Sequence, residues 1–272
     1  MAKLTVEELI VEVTRFCNLE CQHCFRGDAQ NAFMDMETIH NLFANVEHIE
    51  KLVLSGGEPL VAIQQLNEIA DYIKRNGIVV DEISIITNGT VLSTDIIRAL
   101  ERVQMVCRDF HLRVSDDKFH RMELERKGLM NRRNVNFELL SKLFGATKYG
   151  TPRREAVLSI IENVGRARNL TQEDMDRVNS YGEYPTVYAL SNSHWFGDSD
   201  VTIQHRPPYY AGHMYVRELI NIDVNGFLTD SYASYEDADS HNIDSCNINI
   251  VTLLEAVRNN SERVQMVKEK RL

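Results

Sequence analysis

Residues 9–24 read LIVEVTRFCNLECQHC, a run that passes from an apolar strand pattern into a cluster of three cysteines. The aliphatic residues at 9–13 predict a short buried strand. Cys17, Cys21 and Cys24 follow, with three and then two residues between them. These spacings cannot place three sulfur atoms on one face of a helix or a strand, so they favour a loop wrapped around one compact group. Thiolates are the ligands that hold zinc ions and iron–sulfur clusters.

The identity of the group held by the cysteines stays open between these two at this point. A structural zinc site normally has four protein ligands, and His23 is the nearest further candidate. Because His23 directly precedes Cys24, chelation of the same ion by both side chains would be awkward. A four-iron cluster held by three cysteines leaves one iron without a protein ligand, and catalysis requires such an open position. The alternatives to an enzyme are a structural zinc protein and a non-catalytic binding module.

The composition limits the classes of partner that we expect. The 272 residues include 40 acidic and 30 basic side chains, a net charge of −10, which argues against nonspecific binding to nucleic acid. No stretch of about 18 apolar residues occurs, so we expect no membrane span, and the N-terminal residues show no signal-peptide pattern. The five cysteines indicate a reducing, cytoplasmic location. Residues 121–154 carry nine Lys or Arg against three Glu, and this basic stretch either forms a solvated face or binds an anionic partner.

Two apolar periods alternate along the first two thirds of the chain. Strand patterns occur at 9–13, 51–54, 82–86, 110–114 and 156–161, with helical patterns between them and a candidate sixth strand at 186–190. Such βα units build a parallel sheet, because a parallel pair needs a crossover connection. We predict an α/β fold, a partial (β/α)6 TIM-like barrel over residues 1–190, with an open doubly wound sheet as the alternative. Residues 191–272 are predicted to form a short C-terminal extension with a β-hairpin around Asn225-Gly226 and a terminal helix from about Val251.

Four short motifs follow the first four predicted strands in order. After the cysteines come Ser55-Gly56-Gly57-Glu58-Pro59, Thr87-Asn88-Gly89 and Ser115-Asp116-Asp117. In βα architectures, active sites gather at the carboxyl ends of the strands. The series, over roughly residues 9–165, resembles the radical S-adenosylmethionine (SAM) superfamily, which carries a Cys-x3-Cys-x2-Cys motif, a GGEP motif and often a TNG.

The resemblance implies a single [4Fe-4S] cluster and SAM as cofactors. The cluster ligands that it implies are Cys17, Cys21 and Cys24. The implied SAM contacts are His23, mainly through its backbone, and Gly56, Gly57, Glu58, Asn88, Ser115 and Asp117. Gly56 and Gly57 lack a Cβ, so they would let the backbone approach a ligand closely. An electron donor such as a flavodoxin or ferredoxin would drive cleavage of SAM to a 5′-deoxyadenosyl radical, which abstracts hydrogen from a substrate.

The expected substrate is a ribosomally made peptide, with a small molecule or a nucleotide as the alternative. This expectation rests on Gly165-Arg166-Ala167, which resembles a piece found in peptide-modifying members, and on the C-terminal extension. The adenine-contact motif that some members carry at the fifth strand is not recognisable here. Residues 192–210, rich in His, Trp, Tyr and Arg, either line a substrate pocket or pack the extension onto the barrel.

The extension contains one cysteine, Cys246, and one thiol cannot anchor an auxiliary cluster of the usual kind. We therefore predict no auxiliary cluster. Cys246 either packs as a small buried residue or donates a hydrogen atom to a substrate radical, as in radical SAM epimerases. Cys107 is expected in the core.

Overall fold

The computed structural model describes residues 3–151, 157–183, 185–191, 205–206, 213–229 and 233–269. Its strands are β1 (Lys3–Thr14), β2 (Val46–Gly56), β3 (Val79–Thr87), β4 (Asp109–Ser115), β5 (Thr147–Tyr149), β6 (Leu158–Ile161), β7 (Val187–Leu190), β8 (His205–Arg206), β9 (His213–Ile222) and β10 (Leu228–Thr229). Its α-helices are α1 (Met36–Phe43), α2 (Ile63–Asn76), α3 (Thr94–Gln104), α4 (Lys118–Arg126), α5 (Met130–Phe144), α6 (Gln172–Ser180), α7 (Tyr235–Ser240) and α8 (Leu253–Glu269).

Strands β1 to β5 lie side by side in chain order and form a parallel sheet. Helices α1, α2 and α3 connect successive strands, as parallel pairing requires. The predicted α/β class is confirmed, with a parallel sheet that is consistent with a partial TIM-like barrel. Because the strands share one direction, the loops that follow them meet at one edge of the sheet.

One hydrophobic core holds the strands and crossover helices together. Each helix buries one apolar face against it, as Ile39 and Leu42 do on α1 and Leu66 and Ile69 do on α2. These side chains have no exposed surface, and full burial of one such side chain contributes about 1.5–3 kcal/mol. The packing therefore fixes the positions from which the functional loops leave the sheet.

The expected fifth strand is wrong in its position. The strand that pairs with β4 is β5, at Thr147–Tyr149, and its three exposed residues carry no apolar pattern that would reveal it. The apolar residues near 156–161 do form a strand, β6, but it pairs with β7 in a separate two-stranded parallel sheet. Helix α4 was also not expected, because charged side chains dominate its sequence. Residue 156 lies outside the described residues.

The predicted hairpin around Asn225-Gly226 is present as β9 and β10, and the terminal helix is α8. Strand β9 also pairs in parallel with β1, with Ile222 opposite Val11. The C-terminal segment thus extends the edge of the main sheet that is opposite β5. The division of the chain near residue 190 stays a prediction.

The segment 192–210, expected to line a pocket or pack the extension, lies outside the described residues except for the backbone of β8. Across the part of the chain that the structure describes, no helix has both the length and the apolar character needed to cross a membrane.

Candidate functional site

Residues 15–27, which carry the three cysteines and are called the cysteine loop here, leave the carboxyl end of β1. The loop that follows β2 holds them there. The backbone N–H of Gly57 donates to Thr14 O at 2.8 Å, and that of Glu58 donates to Phe16 O at 2.7 Å. A Cβ on Gly57 would lie 2.3 Å from Phe16 O, a distance that real Cβ atoms do not adopt. In this structure the close approach of the glycines is to the start of the cysteine loop, whereas the sequence suggested an approach to a ligand.

The three cysteine thiols lie close enough together to influence one another. Cys21 is buried, while Cys17 and Cys24 are partly exposed. Burial, followed by smaller effects that include the charges of Glu58 and Cys24, raises the pKa of Cys17 to about 11. Burial also raises the pKa of Cys21. Two thiols in such surroundings become thiolates when a cation stabilises the charge, so the donor set fits a metal centre.

Among the described residues, His23, Asp117 and His120 form a group whose ligand atoms all lie within 4.8 Å of one another.

Glu58 joins the carboxyl ends of β2 and β3 beneath the loop. Its fully buried carboxylate accepts hydrogen bonds from Thr87 Oγ1 and Asn88 N, both at 2.7 Å, and from Leu60 N at 3.0 Å. Burial raises the pKa of this carboxyl, against the effect of those three donors. Three donors leave a carboxylate with capacity for a further hydrogen bond, which suits the ammonium contact that the sequence implies.

Asn88 contacts the cysteine loop directly. Its Nδ2 donates to Asn18 Oδ1 at 2.9 Å and lies 3.9 Å from Cys17 Sγ, within reach of a weak hydrogen bond to sulfur. Its Oδ1 accepts from both the backbone and the hydroxyl of Thr90, and Asn18 Nδ2 donates to that hydroxyl at 2.7 Å. Asn18 and Thr90 were missed by sequence reasoning, although each lies beside a motif that was found.

The two adjacent aspartates after β4 have different surroundings. Asp116 is buried and is paired with Arg133, Arg121 and Lys148. Its neighbour Asp117 points toward the cysteine loop. Asp116 therefore stabilises the fold, while Asp117 is the acidic group available to the site.

Asp117 Oδ2 lies between two histidines. It is 2.7 Å from His120 Nδ1 and 3.4 Å from His23 Nε2, and the His23 ring stacks on Phe119 at 4.6 Å between centroids. Although burial opposes the effect, the charges of the two histidines hold the pKa of Asp117 well below its usual range. Burial lowers the pKa of His120, but the charge of Asp117 and its hydrogen bond outweigh burial and raise the pKa above its usual value.

His120 was missed by sequence reasoning, and the expectation that His23 acts mainly through its backbone stays a prediction. The spacing of the two residues could have revealed His120. Asp117 caps the N-terminus of α4, and the residue three positions after such a cap lies beside it.

The remaining predicted site residues occupy distinct places. Ser115 ends β4 and is largely buried, and its carbonyl accepts from Arg133 Nη2 at 3.0 Å. Cys246 has no exposed surface and lies in the main hydrophobic core, which fits the packing interpretation. Cys107 is partly exposed and packs against the same core.

Residues 11–144 match the family model described as Radical SAM superfamily. An uncharacterised protein of Methanocaldococcus jannaschii is 29% identical over 104 residues, which cover 37% of this chain and 36% of that protein. The chain thus aligns with little more than a third of the length of this curated relative.

Two solved structures show weaker similarity. One is native anSMEcpe with bound AdoMet and Cp18Cys peptide, at 18% identity and a TM-score of 0.40, covering 58% of this chain and 43% of that one. The other is Streptococcus suis SuiB bound to precursor peptide SuiA, at 14% identity and a TM-score of 0.43, covering 81% and 58%. The family match covers the strands that carry the motifs, and residues 11–144 thus form a domain of the radical SAM superfamily.

Proposed function

We propose that this protein is a radical SAM enzyme with a single [4Fe-4S] cluster held by Cys17, Cys21 and Cys24. The observation that carries the proposal is the position of three thiols in one loop over the carboxyl ends of β1 to β4, with Asn88 Nδ2 at 3.9 Å from Cys17 Sγ. When bound, the cluster and SAM supply reductive cleavage of the sulfonium and a radical that abstracts hydrogen.

The chain's own residues bind and orient SAM in this proposal. Glu58 and Asn88 lie at the ends of β2 and β3, and Asp117 follows β4. The low pKa of Asp117 keeps its carboxylate charged, which suits an ammonium or hydroxyl partner. His23 and His120 hold that carboxylate from either side. Gly56, Gly57 and Ser115 complete the proposed SAM contacts through the backbone and a hydroxyl group.

The proposed substrate is a ribosomally made peptide. It is supported by the resemblance of Gly165-Arg166-Ala167 to a piece of peptide-modifying members and by the C-terminal extension, a feature that many such members also carry. A small-molecule or nucleotide substrate is the alternative. In either case we propose a flavodoxin or ferredoxin as the electron donor.

The test is anaerobic reconstitution of the wild-type chain and Cys21→Ala with iron and sulfide. Wild type should contain about four iron and four sulfide per chain and should form 5′-deoxyadenosine from SAM and a reductant. Cys21→Ala should lose both properties. Cys107→Ala is the matched control, because it removes a partly buried thiol outside the loop. Zinc bound without iron, or an intact cluster without SAM cleavage, would contradict the proposal.

A hydrogen-donor role for Cys246 is a separate proposal. Because the thiol is fully buried, the role requires that the substrate radical reach it within the core. Cys246→Ala should then change the stereochemistry of the product while leaving the iron content unchanged. Unchanged stereochemistry and turnover would leave Cys246 as a packing residue.

A further inference from the structure

A short 3-10 turn, Gly165–Asn169, packs against the back of the cysteine loop. Its residue Arg166 donates two hydrogen bonds to that loop. The backbone N–H reaches Cys24 O at 2.9 Å, and the side-chain Nε reaches Cys21 O at 3.0 Å. Arg166 lies about 140 residues after the cysteines in the sequence, yet it binds the backbone carbonyls of two of them.

The same two carbonyls close the turns that shape the loop. Cys24 N donates to Cys21 O at 3.1 Å, and Gly27 N donates to Cys24 O at 3.3 Å. Arg166 supplies each carbonyl with a second donor, and a carbonyl oxygen has two lone pairs. The two consecutive turns therefore share an external support at both of their hydrogen bonds.

The turn is built for this close approach. Gly165 has φ of +55°, and a Cβ there would lie 2.2 Å from Phe25 O and 2.6 Å from Gly27 N. On its other side, Ala167 is fully buried in a second hydrophobic cluster with Phe119 and Ile161. The turn is thus anchored in packed apolar residues and presents Gly165 and Arg166 to the cysteine loop.

The guanidinium of Arg166 also places a positive charge beside the loop. Its side chain is 16% exposed, and its ion-pair partner Asp28, at 3.5 Å from Nη1, is 94% exposed. A pair with so exposed an acid is weak, so Asp28 neutralises little of the charge at the buried end. Charges and hydrogen bonds around cysteine ligands tune the potential of an iron–sulfur cluster.

We propose that Arg166 is a positioning residue for the cluster: its hydrogen bonds hold Cys21 and Cys24 in the conformation that retains the cluster, and its charge raises the reduction potential. The inference rests on the proposed cluster, and it gives Arg166 of the Gly165-Arg166-Ala167 piece a role toward the cofactor.

The test compares wild type with Arg166→Gln, Arg166→Lys and Arg168→Gln. Arg168 is the matched control, because it lies in the same turn and lines the same cavity of about 420 Å³, and its guanidinium pairs with Asp237 of α7. Each reconstituted protein is examined for the rate of iron release to a chelator, the electron paramagnetic resonance signal of the reduced cluster and its midpoint potential. Hydrogen exchange of the peptide covering residues 17–27 is measured on the cluster-free chains.

Arg166→Gln should release iron about tenfold faster than wild type, with a more negative midpoint potential and an altered resonance signal. Arg166→Lys keeps the positive charge but not the planar donor geometry. Its midpoint potential should therefore lie near that of wild type, while its rate of iron release should stay faster than that of wild type. In the cluster-free chains, Arg166→Gln should speed exchange in residues 17–27 severalfold. Arg168→Gln should match wild type in every measurement.

Failure of the inference and failure of the proposed function give different results. If wild type and Arg166→Gln agree in iron release, potential and exchange, the inference is wrong while the cluster remains. If wild type binds no iron–sulfur cluster, the proposed function fails, and the exchange measurement alone still decides whether Arg166 holds the loop. Faster release with an unchanged potential in Arg166→Gln would overturn the charge effect.

Discussion

Glu58 shows how one buried carboxylate organises two strand ends. A charged group without exposed surface is costly unless hydrogen bonds compensate it, and Glu58 receives three from Leu60, Thr87 and Asn88. Two of these donors are the last residue of the neighbouring strand, Thr87, and the first residue after it, Asn88. The carboxylate therefore sets the distance between the loops that follow β2 and β3.

Replacing Glu58 by Gln should destabilise the cluster-free chain by about 1–3 kcal/mol, because an amide N–H would face donors that need an acceptor. Chemical denaturation measures the change in the free energy of unfolding. The exposed Glu37→Gln is the control and should stay within about 0.5 kcal/mol of wild type. Equal unfolding free energies for Glu58→Gln and wild type would show that the buried hydrogen bonds contribute nothing net.

The pairing of Asp117 with His23 and His120 shows the limit of residue-by-residue prediction. The sequence pointed to Asp117 because of its position after β4. It did not reveal His120, because helix α4 carries mostly charged residues with only Phe119 and Leu124 as buried apolar side chains. A helix with so few apolar positions lacks the periodicity that predicts one.

The loop after β2 and the cysteine loop behave as one element. Their contact consists of backbone hydrogen bonds from Gly57 and Glu58 to Thr14 and Phe16. A Cβ on Gly56 would lie 2.2 Å from Thr14 O and one on Gly57 would lie 2.3 Å from Phe16 O, so both positions require glycine. The glycines thus position the cysteine loop, independently of any contact that they make with a ligand.

Gly57→Ala should lower the iron content of the reconstituted protein and speed hydrogen exchange at residues 14–17, because its Cβ would lie 2.3 Å from Phe16 O. Gly77→Ala is the control, since a Cβ there meets no atom within 4 Å and only its φ of +64° is strained. That strain costs about 1 kcal/mol and lies far from the loop in sequence. An iron content for Gly57→Ala equal to that of Gly77→Ala would contradict this account.

The C-terminal segment is joined to the core through a buried cluster of charges around Arg15. The guanidinium bonds Glu12, Asp223 and Asp239 at 2.8–2.9 Å and Gln30 at 3.1 Å. Arg15 lies two residues before the first cysteine, while Asp223 and Asp239 come from the C-terminal third. The whole molecule therefore contributes to holding the start of the cysteine loop.

Arg15→Met should destabilise the chain by about 3–5 kcal/mol, because it leaves buried carboxylates without their cation. The thermal or chemical unfolding transition measures the loss. In the double variant with Asp223→Asn, part of the loss should be recovered, since one unpaired charge is removed. Additive losses in the two single variants would show that these side chains are not coupled.

Asp223 should also make stability depend on pH. Burial and the charge of Glu12 raise its pKa from 3.8 to about 6, although Arg15 opposes the shift. As the pH rises, this carboxyl ionises at about pH 4 in the unfolded chain but only at about pH 6 in the folded chain. The stability gained from the protonated group is therefore fully present below about pH 4 and is lost as the pH rises to about 6. The unfolding free energy of wild type, relative to Asp223→Asn, should fall by at most about 3 kcal/mol across that range. A difference independent of pH would refute the raised pKa.

Local patterns in the sequence were sufficient to predict the first four strands, the cysteine loop and the polar motifs that follow the strands. Each of these depends on residues within a few positions of one another: alternating or continuous apolar residues for a strand, and spacing for a loop. Pairing between distant segments has no such local signal. The exposed β5 beside β4, the pairing of β6 with β7, and β9 beside β1 were therefore not predictable.

The same division applies to the site. Cys17, Cys21 and Cys24 are recognisable because their spacing is local. The contacts of Arg166 with the cysteine carbonyls, of His120 with Asp117, and of Arg15 with Asp223 depend on which buried surfaces meet. Those meetings are set by packing and by the need to satisfy buried polar groups. The sequence pattern thus identifies the candidate ligands, while the packed fold supplies the partners that hold them in place.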